Sequence, residues 1–154
     1  MRYYFLLTFL IFTSFQSIAS GYNVVSIGFF DFELDKDLQG NNLTGDLRFE
    51  QRYDNILFEI GPEEDNFFFL KPFYGIELTG DSAVYLNSGF YIDDNLGELF
   101  TGKKNNFNFT PSFGAGYFDN GSGKNLGNWL QFKTTLEISY LLKNNNRIGL
   151  SFAH

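Results

Sequence analysis

"LQFKTTLEISYLL", Leu130 to Leu142, is the stretch whose reading decides the fold. Leu130, Phe132, Leu136, Ile138, Tyr140 and Leu142 fall on one parity; Gln131, Lys133, Thr135, Glu137 and Ser139 fall on the other. Successive side chains of a strand point to opposite faces, so a period of two predicts a strand with one apolar and one polar face.

The same pattern recurs in both directions from this stretch. In "GDLRFEQRYD", Leu47, Phe49, Gln51 and Tyr53 oppose Asp46, Arg48, Glu50 and Arg52. In "LKPFYGIELTG", Leu70, Pro72, Tyr74, Ile76 and Leu78 oppose Lys71, Phe73, Gly75, Glu77 and Thr79. "VYLNSGFYI" and "NFNFTPSFGAGYF" alternate likewise, and helical periodicity wins in none of these windows. Turn chemistry separates the runs: Gly80-Asp81, the Gly/Asn loop Asp119 to Gly127, and "KNNNR" from Lys143 to Arg147. The spacing predicts seven strands, near 22–32, 45–54, 68–79, 83–93, 106–118, 129–142 and 147–154.

Composition bounds the function. The chain has 154 residues, the length of one domain. It has no cysteine and one histidine, which excludes disulfides, thiolate metal sites and imidazole-rich metal sites. A net charge of -7 argues against a nucleic-acid partner, which needs clustered Lys and Arg. No cofactor is expected. The start, "MRYYFLLTFLIFTSFQSIAS", has Arg2, an apolar run from Tyr3 to Phe12 and small residues to Ala19. Residues 1–19 therefore read as a signal peptide, and residues 20–154 as the β-domain.

Seven meandering strands need closure, because open edges invite aggregation. Alternation alone does not say which face points inward. A soluble, lipocalin-like barrel would put the apolar face inside, around a ligand. A membrane barrel puts it outside, since closure satisfies every backbone polar group in lipid. Three features favour the membrane. Arg48, Glu50, Arg52, Lys133 and Glu137 can pair inside a small filled barrel. Tyr53, Tyr91, Tyr117, Trp129 and Tyr140 lie near strand ends, as in aromatic girdles. The leader provides export.

Two long stretches carry a family resemblance: Leu70–Gly97, and Phe109–His154 with its pieces "TPSFGAGYF", "GSGKNLG", "LQF…LEISY" and "RIGLSFAH". In this order and spacing they resemble the acyloxyacyl hydrolase family, the PagL-like lipid A 3-O-deacylases. The resemblance implies an all-β, antiparallel, up-and-down outer-membrane barrel of eight strands, about seven of them present in this sequence. It implies hydrolysis of an acyl ester of lipid A, with lipopolysaccharide as partner and the outer membrane as location. The family motif runs His-x-Ser-Asn, followed by a Glu on the last strand. His154 matches the histidine, which acts as general base for the serine, with the Glu orienting the imidazole. The Ser, Asn and Glu have no positions in this sequence, which stops at His154. The expectation is a β-domain that lacks its last strand and is inactive as this polypeptide alone.

Parity agrees with this. His154 shares a face with Ile148, Leu150 and Phe152, so it points to lipid if they do. If "KNNNR" is a periplasmic turn, seven residues at ~3.3 Å each, tilted by ~40°, climb roughly 18 Å of an apolar band ~25 Å tall. That height is the outer-leaflet half. The rival readings are a non-catalytic outer-membrane barrel with a structural or adhesive role, and the soluble barrel.

Overall fold

The computed structural model describes residues 20–30, 44–61 and 68–154. The expected signal peptide, 1–19, lies outside the described residues. Among the described residues, nine strands and one short helix follow in chain order: β1 (Gly21–Phe30), β2 (Thr44–Tyr53), β3 (Phe58–Ile60), β4 (Phe68–Thr79), β5 (Val84–Tyr91), β6 (Asp94–Asn95), α1 (Leu96–Thr101), β7 (Phe107–Asp119), β8 (Leu130–Leu141) and β9 (Arg147–Ala153). Seven of them form one antiparallel path, β1-β2-β4-β5-β7-β8-β9, each strand beside the next long one in the chain. These are the seven strands that the alternation predicts. The fold is all-β, an antiparallel meander curled into a half-barrel, the sheet architecture of an outer-membrane barrel.

Three elements lack a signal in the sequence, for local reasons. β3 and β6 are three and two residues long, shorter than a repeat of alternation needs, and they pair with the ends of β4 and β7. Helix α1 has six residues and is defined by its caps. The Asn95 side chain accepts a hydrogen bond from Glu98 N–H at 3.2 Å. Gly102, at φ 67°, then turns the chain out of the helix in the left-handed region.

The curl sends the two faces of the sheet to different surroundings. On β8, Thr135, Glu137 and Ser139 are buried while Phe132, Thr134, Leu136 and Ile138 are exposed. On β2, Arg48, Glu50 and Arg52 are buried while Leu47 and Phe49 are exposed. Charge is inside and hydrocarbon is outside. A soluble barrel would need the reverse, and apolar surface on this scale is a membrane face. Glycine makes the filled interior possible: a Cβ on Gly114 would sit 3.0 Å from the Phe73 ring, which crosses over that position.

Ion pairs fill the interior. Arg52 Nη2 donates to Glu50 Oε2 and to Glu137 Oε2, both at 2.9 Å, joining β2 to β8 across the curl. Lys133 pairs with Glu77. Arg48 donates to Ser26 of β1 at 3.0 Å and to Ser151 of β9 at 3.1 Å. The edge strands β1 and β9 thus approach each other through side chains. Between them lies a slot of about 600 Å³, lined by Tyr22, Ser26, Ser139, Arg147 and Ser151 among others.

One expected girdle residue is corrected. Tyr91 lies inside the curl, fully buried, because it shares parity with Tyr85 and Asn87. Its hydroxyl donates to the Tyr53 carbonyl at 2.9 Å, and its ring faces the Arg52 guanidinium at 5.5 Å. The other four stand in exposed or half-buried positions: Tyr53 against Tyr74 and Tyr140 against Phe107 at one end, Tyr117 against Trp129 at the other.

Candidate active site on the outer wall

His154 continues β9 and is held by its backbone. Its N–H donates to the Thr134 carbonyl at 2.9 Å, and its carbonyl accepts from Thr134 N–H at 2.8 Å. The register below it, Ala153 with Thr135 and Phe152 with Leu136, runs unbroken. His154 therefore shares the outward parity of Phe152, Leu150 and Ile148, which are 70%, 85% and 67% exposed. Ring and row face the surroundings of the barrel.

This placement separates His154 from the interior acids. Glu50, Glu77 and Glu137 are buried on the inward face. A strand wall stands between them and an outward side chain, so none of the three can orient the imidazole. The interior network is structural filling, as the shared parity of Lys133 with Glu137, and of Glu50 with Arg48 and Arg52, leads one to expect. Among the described residues no group of three His, Asp or Glu gathers to hold a metal ion.

The neighbours of His154 on the outer wall come from β7, β8 and β9. Thr134 is directly across from it, and Phe113 of β7 is directly across from Thr134. Phe113 stacks on Phe132 at 6.1 Å with the planes 13° apart. The sequence reading passes over Thr134, since its hydroxyl breaks an apolar row. That break, at Leu130-Phe132-Thr134-Leu136-Ile138, is the signal that could have found it.

A second polar cluster closes the end of the interior where β9 begins. Arg147 Nη1 donates to Asp93 Oδ1 at 2.7 Å, and the guanidinium lies 5.2 Å from the Tyr22 ring. Thr110 Oγ1 also donates to Asp93 Oδ1, at 3.0 Å. Burial alone would raise the Asp93 carboxyl; the Arg147 hydrogen bond and charge, with the Thr110 hydroxyl, outweigh it and hold Asp93 below the ordinary carboxylate range. The connection carrying Asp93 lies beyond the end of β5. The sequence marks Arg147 only as the close of a turn, yet its inward parity opposite Ile148 follows from the same alternation.

An apolar outer wall, an ion-paired interior and a meander of neighbouring strands define the class: an integral β-barrel of the membrane type. The chain belongs to the family described as lipid A 3-O-deacylase (PagL), whose model matches residues 77–154, just over half of the sequence. No curated protein and no solved structure matches the chain.

Proposed function

We propose that this protein is an outer-membrane esterase that hydrolyses an acyl ester of lipid A in lipopolysaccharide, with His154 as the general base. The observation that carries the reading is the place of the histidine. It ends an apolar, outward-facing row in a chain of the lipid A deacylase family. A working imidazole among lipid-facing residues suits an enzyme whose substrate is itself a membrane lipid, because the ester can meet the base without leaving the bilayer.

The chemistry follows the family pattern. The imidazole takes the proton of a serine hydroxyl two positions further along the strand, on the same face. The serine oxygen attacks the ester carbonyl, and the alcohol leaves with the proton that the imidazole returns. Water then cleaves the acyl-enzyme, releasing a fatty acid and restoring the serine. A carboxylate on a strand lying in the slot between β1 and β9 would flank His154 on the side opposite Thr134 and orient the ring. A strand there would also pair both edges, which lipid demands. With the turn at 142–146 on the periplasmic side, His154 stands in the outer-leaflet half.

The test is fatty-acid release from lipopolysaccharide in outer membranes carrying the protein from its complete reading frame. His154→Asn is expected to cost at least about a thousandfold in kcat. The folded protein should still show the shifted mobility of an unheated barrel on a gel. A folded His154→Asn protein that deacylates at the original rate would overturn His154 as the base, and a folded wild type that releases no fatty acid would favour a non-catalytic barrel.

A further inference from the structure

Thr134 is small and hydroxylated where the wall around it is large and apolar. On β8, Phe132 precedes it and Leu136 follows on the same face, 63% and 46% exposed. Phe113 stands on one side, and Phe152 of β9 lies diagonally across. A threonine among these four side chains leaves a notch in the wall. The Phe113–Phe132 stack makes one rigid rim of that notch. The open side of the notch is His154, whose backbone takes both the N–H and the carbonyl of Thr134. Cross-strand neighbours of this kind have Cβ atoms about 5 Å apart, so the hydroxyl and the imidazole reach a common point.

A hydroxyl turned to hydrocarbon costs free energy unless it finds a partner. An ester presented to His154 offers one: its carbonyl oxygen can accept from Thr134 Oγ1 while the carbonyl carbon stands near the base. We infer that Thr134 binds the ester group of the lipid substrate in this notch and so sets which bond His154 works on. The inference rests on the reading of His154 as the base. Thr134 contributes a hydrogen bond and a shape.

The two contributions separate by substitution in the full-length protein, with lipopolysaccharide as the probe. Thr134→Val keeps the shape and removes the hydroxyl. It should raise KM about tenfold with kcat nearly unchanged, the size of one lost hydrogen bond. Thr134→Ser should restore KM to within about threefold of the original, since it returns the donor. Thr134→Phe fills the notch and should abolish turnover while the barrel still folds. An unchanged KM in Thr134→Val would overturn the proposal. So would a loss that tracks the folded fraction on unheated gels and is not rescued by serine. The His154 reading fails separately: a folded, fully active His154→Asn sinks it, whereas an inactive His154→Asn beside a normal Thr134→Val sinks only the role of Thr134.

Discussion

Asp93 shows what single residues contribute here. Its carboxylate is gripped by Arg147 and Thr110 at the end of the barrel interior. A carboxyl held below its ordinary value in the folded state stabilises the fold above the unfolded pKa, and that contribution is lost as pH falls through the folded pKa. Wild type should therefore outlast Asp93→Asn in urea at neutral pH. The gap should narrow as pH drops below about 4, where the unfolded carboxyl takes up its proton. Unfolding midpoints between pH 7 and pH 3 in detergent check this, and a gap that stays constant would count against the Arg147 contact as its source.

At the scale of the element, β8 carries both surroundings on one strand. Ile138 is about half exposed and faces outward; Glu137 next to it is buried. If the outer face lies in hydrocarbon, Ile138→Arg should cost about 2–4 kcal/mol near the bilayer midplane. The measurement is the refolding equilibrium in lipid vesicles. A cost near zero would mean that this face meets water. β9 keeps its register through the bonds to β8, from Arg147 with Leu141 to His154 with Thr134.

The whole molecule depends on charges that no single strand can satisfy. Arg52 on β2 reaches Glu50 on its own strand and Glu137 on β8. Removing it leaves the buried Glu137 without its cation and Glu50 with Arg48 alone, at 3.4 Å. Arg52→Leu should destabilise the barrel by about 3–5 kcal/mol. Loss of the heat-modifiable gel band, or a matching shift in the urea midpoint, would register it. A midpoint within the error of wild type would show that the acids find another partner.

Much of this was legible before any coordinates. The period-two rows set seven strands and their faces, because alternation is a property of each strand alone. The resemblance in "RIGLSFAH" singled out His154. Alternation alone leaves the sense of the curl open, since it reads the same for a soluble and a membrane barrel; the charged rows, the aromatic strand ends and the resemblance are what favour the apolar face outward. Tyr91 was misplaced for a related reason: a tyrosine near a strand end reads as a girdle residue whichever face it takes. Thr134 carries no such signal, because its partners on the wall, Phe113 of β7 and His154 after β9, are 21 and 20 residues away in sequence. The sequence by itself determined the strands and their polarity. Only the tertiary structure decided which face is outside and what stands beside His154, because curvature and register are relations between strands that no local pattern encodes.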